Sequence, residues 1–318
     1  DAAAAAPQAR PPFSRKGRGK MANTSTVPAI GKPKRHRKFR TWPMLVPAVS
    51  ILAVWAVVPL VLTIWYSFQN YNLQVPPAEW GGLINYEYLL TDPDLPVVVM
   101  NTLIMVFIPL IVTICLGLAF AVLYDGPFPG RPIARLLVIT PFFVMPTVAA
   151  LVWKNLFFHP VFGLLAWGEK MIGLEPIDWF TSYPMAAIIV IICWMWTPFA
   201  TLILLTAMQS LDREQIEAAR MDGAKSLARF WYVVLPHLSR PIAVLIMLET
   251  IFFLATYAEI YVTTSGGPGS ATTNIPFYIY SRALQGFDVG LASAAGVFAI
   301  IIANIVAYFF TKAMSEQL

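Results

Sequence analysis

The chain has 318 residues, of which 58% are hydrophobic and only 12% are charged. Soluble domains carry about 25% charged residues, so this composition excludes an ordinary soluble protein and indicates that most of the chain faces lipid. The formal net charge of +5 is uneven, because six of the ten residues in 31–40 are basic.

Residues 1–40 are predicted to be a disordered, basic, cytoplasmic N-terminal segment. Either Met21 is the natural start, which would make residues 1–20 a non-native leader, or residues 1–20 are a disordered leader. The basic run directly precedes an apolar stretch that starts at Trp42. We interpret it as a cytoplasmic flank under the positive-inside rule, and we expect no nucleic-acid partner.

Six long apolar runs follow, at about 43–68, 97–124, 132–158, 184–208, 241–262 and 289–311. Each is long enough to cross the hydrocarbon core, where unpaired backbone groups force a helix. Residues 41–318 are therefore predicted to form an all-α integral membrane domain with six transmembrane helices. Pro141 and Pro146 indicate either a broken third span or a packing kink.

The charges of the loops predict the orientation. Residues 70–96 contain no Lys or Arg, whereas the segment 209–240 contains five. By the positive-inside rule, both termini and the 209–240 loop are cytoplasmic. Residues 162–172 in the third loop are predicted to form a short helix that lies at the membrane surface or packs on the spans.

The fourth loop, residues 209–240, is polar and rich in helix-forming residues. Asp212 followed by Gln215 resembles a capping box, and Gly223 predicts a helix end. A second short helix is predicted from about 225 to 234, ending at Pro236. Because the chain has no GxxxxGK[ST] phosphate loop, this projecting segment is interpreted as a docking surface for a separate motor protein.

The fourth loop reads Glu-Ala-Ala, three residues, Gly, nine residues, then Val-Val-Leu-Pro at 233–236. This pattern resembles the EAA loop of binding-protein-dependent ABC importer permeases, with Val233 in place of the family's Ile. The resemblance implies coupling helices that seat in a groove of a partner ATPase. The residues it implies for coupling are Glu217, Ala218, Ala219, Gly223, Leu235 and Pro236.

The resemblance covers about residues 40–318. Asn101-Thr102, residues 140–146 and residues 265–269 are similar to the maltose-type, carbohydrate-importing branch. Residues 142–160, 176–180 and 258–264 are most similar to mannitol or sorbitol permeases. The resemblance implies a multi-pass permease of the bacterial inner membrane that is not itself an enzyme and holds no cofactor. The implied partners are a second permease, two ATPases that bind ATP and Mg, and a solute-binding protein.

Polar and aromatic residues within the spans are candidates for the solute path, because buried charges and amides in membranes are costly and usually functional. These candidates are Glu249, Tyr257, Glu259, Asn155, Trp194 and Trp196. Four of them also have a structural interpretation: Glu249 as a hydrogen-bonding group between helices, the two tryptophans as packing or lipid-facing residues, and Asn155 as a cap. The candidates for contact with the binding protein are Ser265, Gly266, Gly267, Pro268 and Gly269.

Three alternatives stay open. The first is the same importer class with a disaccharide, a sugar glycoside or glycerol phosphate as its solute. The second is a secondary transporter, which would not need the 209–240 segment. The third is a membrane enzyme, for which the sequence offers no catalytic motif, and no metal site is expected from the three scattered histidines.

Overall fold

The computed structural model describes residues 42–315. The predicted disordered segment 1–40 lies outside these residues. The chain divides into two units after Ile51. Helix α1 spans Trp42–Ser67, so only its residues up to Ile51 belong to the described part of the first unit. Within the second unit, the side chains from Leu52 to Trp65 are mostly exposed and apolar, as expected for a helix surrounded by lipid.

A small antiparallel hairpin follows α1. Strands β1 (Gln69–Asn72) and β2 (Val75–Trp80) pair with Gln69 opposite Trp80. The buried Asn85 amide donates to the carbonyls of Ser67 and Gln69, which fixes the hairpin to α2 (Ile84–Thr91). The described chain is mostly helical, as predicted, and this hairpin departs from the all-α prediction because the backbone groups of the loop pair with each other.

The core of the second unit is built on α3 (Leu95–Asp125) and α8 (Pro184–Gln209), which match the second and fourth predicted spans. A Cβ added to Gly117 of α3 would lie 2.5 Å from the Cβ of Ala200 on α8. The two small residues thus allow the backbones to approach closely, as is common between membrane helices. Leu204 of α8 and Leu245 of α11 (Leu235–Leu254) are fully buried beside this contact.

The third predicted span is broken. Helix α4 (Arg131–Ile139) passes through a 3₁₀ turn at Thr140–Phe143 into α5 (Pro146–Val152), which continues as a π turn over Trp153–Phe157. The axis bends by 106° at this break. Pro141 and Pro146 lack the N–H groups that would continue the helix, so the prediction of a break is confirmed and a simple kink is excluded.

The fifth span begins earlier and ends earlier than predicted. Helices α9 (Arg213–Met221) and α10 (Ser226–Arg229) form in the fourth loop, and α10 runs through a π turn at Phe230–Val234 into α11 (Leu235–Leu254). The predicted end at Pro236 is wrong, because a proline in the first turn of α11 gives up an N–H that has little use there. Helix α12 (Ala258–Thr263) follows after a break.

Several shorter helices complete the described chain. Helix α6 (Leu164–Met171) confirms the short helix of the third loop, and α7 (Trp179–Ser182) was not predicted. The last loop contains an unpredicted helix, α13 (Ile275–Tyr280), which continues as a π turn to Gln285. Helix α14 (Val289–Ser315) is the sixth predicted span. Within residues 42–315, five helices are long and apolar enough to cross a membrane, and the number is six if the bent pair counts as one span.

Candidate functional site

The segment with the EAA pattern forms a short exposed helix between α8 and α11. Asp212 caps α9, and its Oδ1 accepts the N–H of Glu214 at 3.0 Å. Glu217 and Ala218 are exposed, and Ala219 is half-buried. The exposed surface of α9 therefore combines the charge of Glu217 with the small side chain of Ala218 beside it.

Gly223 ends this helix with a backbone that favours glycine. Its φ is +79°, in the left-handed region, and a Cβ added there would meet nothing within 4 Å. Its N–H donates to the carbonyl of Arg220, and the next N–H donates to Ala219. The glycine is therefore needed for its backbone conformation and not for space.

Leu235 and Pro236 stand at the start of α11 and not in the exposed helix. Leu235 is half-buried and Pro236 is exposed. Nearby, His237 Nε2 lies 3.1 Å from the carbonyl of Ala207 and 3.2 Å from the hydroxyl of Ser210. This imidazole joins the end of α8 to α11, so it fixes the two helices between which α9 projects.

Exposed apolar side chains also lie in the 209–240 segment. Met221 at the end of α9 is 88% exposed and Leu227 on α10 is 69% exposed. Trp231 and Tyr232 in the following π turn are also exposed. None of these residues was predicted as a contact from the sequence, although several apolar residues in one polar loop are what a docking surface would require.

Glu249 is fully buried between α11 and α3. Its Oε2 lies 2.6 Å from the hydroxyl of Thr113, and its Oε1 has no hydrogen-bond partner among residues 42–315. The hydroxyl of Thr113 also lies 2.8 Å from the carbonyl of Pro109. Pro109 lacks the N–H that would complete a backbone hydrogen bond inside α3, so the helix is interrupted beside this contact. The geometry supports the structural interpretation of Glu249, because it links two spans.

The two tryptophans of α8 face different surroundings. Trp194 packs edge-on against Trp153 at 5.8 Å and lines an apolar cavity of about 580 Å³ beside the bend of the third span. Trp196 lies in an aromatic cluster with Phe142, Phe252 and Phe253. Trp196 is therefore a packing residue, whereas Trp194 is the tryptophan that borders open space.

Tyr257 and Glu259 flank the start of α12. The ring of Tyr257 packs 4.9 Å from Tyr280 and 5.7 Å from Tyr261, while Glu259 is buried. Neither residue lines the apolar cavity described above or the polar cavity described next. The six predicted path residues are thus not gathered around one cavity in the described chain.

Residues from two separately predicted groups line one polar cavity of about 530 Å³. Asn155, a path candidate, and Gly267 and Pro268, candidates for contact with the binding protein, line the same space. The other residues that line it are Lys154, Phe158, His159, Pro160, Asp178, Phe180, Thr181, Thr263 and Thr264. They come from the end of the third span, from the Asp178–Thr181 turn and from the end of α12.

The turn beside this cavity is tightly held. Ser265 and Gly269 have φ of +50° and +58°, and Gly266 has a φ of +88° with Thr273 Oγ1 2.6 Å from where a Cβ would stand. The amide of Asn101 on α3 donates to the carbonyls of Ser270 and Thr273. The loop after α12 is therefore anchored to a span, which the Asn101-Thr102 motif alone did not reveal.

A charged network on the same side of the described chain ties the first loop to α13. Asp92 Oδ2 accepts from Arg282 at 2.7 Å and from the Tyr278 hydroxyl at 2.6 Å. Burial raises the pKa of Asp92, but its hydrogen bonds from Tyr278 and the Asp94 N–H, with the Arg282 charge, hold the pKa below its ordinary value. Burial and the bond to Asp92 raise the pKa of Tyr278 to about 12.

Comparison with known proteins identifies the family. Residues 128–318 match the family described as the inner membrane component of binding-protein-dependent transport systems. The chain is 30% identical over 262 residues to the trehalose/maltose transport system permease protein MalF of Thermococcus litoralis, covering 81% of this chain and 88% of that protein. The chain belongs to this family.

Further comparisons agree with this membership. The permease is 32% identical to the sulfoquinovosyl glycerol transport system permease protein SmoG of Agrobacterium fabrum, covering 80% of this chain and 83% of that protein. A crystal structure of a bacterial alginate ABC transporter with its periplasmic protein shares the fold with a TM-score of 0.74 at 22% identity, covering 85% and 93%. The chain is a multi-pass component of the inner membrane, and these relatives are named as permease proteins of transport systems.

Proposed function

We propose that this permease imports a polyol or sugar across the bacterial inner membrane, as one half of a heterodimer. Two partner ATPases, which bind ATP and Mg, would drive transport from the cytoplasmic side. A solute-binding protein would deliver solute on the other side. The observation that carries the proposal is the exposed α9 helix, capped by Asp212 and closed by Gly223, at the junction of α8 and α11.

The shape of the 209–240 segment supports its role as the ATPase contact. A partner can reach Glu217 and Ala218 because both are exposed, and Met221 and Leu227 add apolar contact area. The segment runs without a break in the helix from α10 into α11. A movement of α10 would therefore reach the fifth span directly, and α9 is joined to α10 by the short turn at Gly223.

The loop charges support a cytoplasmic position for this segment and both termini. The segment carries Arg213, Arg220, Lys225, Arg229 and Arg240. The first loop, on the opposite side of the membrane, carries Glu79, Glu87 and Asp94 and no Lys or Arg. The one ion pair among the described residues joins Asp92 of this loop to Arg282 of the last loop. An excess of Lys and Arg on cytoplasmic loops sets orientation.

The polyol assignment rests on the sequence similarity of residues 142–160, 176–180 and 258–264 to mannitol or sorbitol permeases. A second candidate solute is a disaccharide or a sugar glycoside. The observation in its favour is that two relatives are named for trehalose/maltose and sulfoquinovosyl glycerol transport. Both candidates present several hydroxyl groups to the permease.

The test is ATPase activity of the purified complex in nanodiscs with its binding protein, measured with mannitol, sorbitol, maltose, trehalose and glycerol phosphate. We expect stimulation by a polyol. Stimulation by another of these solutes would keep the importer class and reject the polyol. If no ATPase copurifies and no solute stimulates activity, the chain would instead act as a secondary transporter.

A further inference from the structure

The polar cavity is bordered by an ammonium group that has one unused donor. Lys154 Nζ donates to the carbonyls of Val262 and Thr263 at 3.0 and 2.8 Å. An ammonium has three N–H donors, so one remains for the cavity that Lys154 lines. Among residues 42–315, no carboxylate lies within the 4.0 Å of an ion pair with this group.

A second donor comes from His159. Its Nδ1 accepts the backbone N–H groups of Val161 and Phe162 at 3.2 and 3.3 Å. In the neutral imidazole the hydrogen then lies on Nε2, which makes Nε2 a donor. Lys154 and His159 are thus each held by hydrogen bonds to the backbone, and each keeps one N–H that can donate to a ligand in the cavity.

Two further side chains of the cavity, Asn155 and Asp178, can accept hydrogen bonds from a ligand. The Asn155 amide N–H donates to the carbonyl of Leu151, which leaves its Oδ1 free. The Asp178 carboxylate accepts from the N–H and the hydroxyl of Thr181, at 3.3 and 2.8 Å. A carboxylate has about four acceptor sites, so two remain. All four polar side chains are held in place before any ligand arrives.

This combination selects the chemistry of a ligand. A hydroxyl group both donates and accepts, so a row of hydroxyls can use the free donors and the free acceptors together. A phosphate or sulfonate only accepts, so it cannot use the free acceptors of Asn155 and Asp178, and the Asp178 charge offsets the attraction of Lys154 for an anion. Lys154 offsets the attraction of Asp178 for a cation in the same way. The rings of Phe158 and Phe180, 5.6 Å apart, add an apolar wall for C–H groups.

We propose that this cavity is a reception site for a neutral polyhydroxylated solute, which the permease contacts beside the 265–269 turn before the solute enters the spans. The volume of about 530 Å³ lies within the usual range of small-molecule sites. The proposal rests on the proposed function, because it makes the cavity the first contact with solute released by the binding protein. It adds a solute-contacting set: Lys154, Asn155, His159 and Asp178.

The experiment uses cysteine labelling of the intact complex in nanodiscs. Asn155→Cys is introduced together with Cys115→Ser, which removes the exposed native thiol, while Cys193 stays buried. A charged, membrane-impermeant thiol reagent then reports access to position 155. The matched control is Thr91→Cys, an exposed position on α2 that does not line the cavity.

We expect mannitol at about ten times its Kd for the Asn155→Cys protein to slow labelling about tenfold, because Lys154, His159 and Asp178 still bind solute and occupied sites are protected. sn-Glycerol 3-phosphate at the same concentration should not protect, and labelling at position 91 should not respond to either probe. The proposal is overturned if position 155 does not react, if neither probe protects it, or if the phosphate protects it as well as mannitol.

A second variant tests the acceptor without removing a helix cap. Asp178→Asn keeps an oxygen for Thr181 but loses the charge, so the mannitol concentration needed for half protection should rise about tenfold. An unchanged concentration would remove Asp178 from the site. If ATPase activity responds to the binding protein but position 155 is unprotected, only the reception site fails. If ATPase activity never responds, the proposed function fails as well.

Discussion

Replacing Gly223 with alanine tests the coupling segment most directly. The φ of +79° lies in the left-handed region, where a side chain costs about 1–2 kcal/mol. Because a Cβ at this position meets nothing within 4 Å, this backbone cost is the whole expected effect. It lowers the population of the correctly ended α9 helix by about 5- to 30-fold relative to its frayed form.

The matched control is Gly173→Ala. Gly173 follows α6 with a φ of +80° and also has nothing within 4 Å of an added Cβ. The two substitutions therefore carry the same local cost, but only Gly223 lies in the coupling segment. Gly223→Asn is the rescue variant, because asparagine adopts the left-handed conformation more readily than alanine.

The assay is solute uptake into proteoliposomes that contain the whole complex, together with solute affinity of the isolated binding protein. We expect Gly223→Ala to reduce uptake, Gly223→Asn to restore part of it, and Gly173→Ala to leave it near wild type. The affinity of the binding protein should not change. Equal loss of uptake in the Gly223 and Gly173 alanine variants, or no loss in either, would refute the reasoning.

Three further predictions follow from the contacts described above. Glu217→Lys should reduce ATP-dependent uptake while Glu87→Lys, an exposed charge reversal on α2, should not; equal uptake in both variants would count against the coupling assignment. Gly117→Ala should lower stability by about 1–3 kcal/mol because its Cβ would overlap Ala200, as measured by thermal unfolding of the nanodisc complex. The folded pKa of Asp92 is depressed, so wild type should be more stable than Asp92→Asn at pH 7, and the gap should close as the pH falls below the ordinary value of 3.8; a gap independent of pH would exclude this linkage.

The spans could be predicted from the sequence because length and apolarity are local properties. The break at Pro141 and Pro146 was also local, since both residues remove helix N–H donors. Pro236 misled the prediction, because the same residue type ends a helix or begins one, depending on where the first turn lies. The β hairpin and α13 gave too short a signal for periodicity to detect.

The polar cavity shows what local signals cannot reach. Its walls come from segments around 154–160, 178–181 and 263–268, which only the packed chain brings together. Asn155 was identified from its polarity near a membrane helix, but nothing in the sequence placed it beside Gly267. Likewise, the burial of Glu249 was predictable from its apolar surroundings, whereas its partner Thr113 lies 136 residues earlier.

The unbroken helical path from Ser226 to Leu254 has a mechanical consequence. Its 29 residues extend about 43 Å, against a hydrocarbon thickness of about 30 Å, so part of it stands outside the membrane as a lever arm. Pro241, inside α11, lacks the N–H that would continue the backbone hydrogen bonds and makes a joint there, whereas the part that contains Glu249 has no proline and stays stiff. A tilt of about 5° at that joint would move the far end by about 2 Å, given the 1.5 Å rise per residue. Small movements of α9 and α10 can thus be delivered to the first residues of α12, whose other end borders the polar cavity.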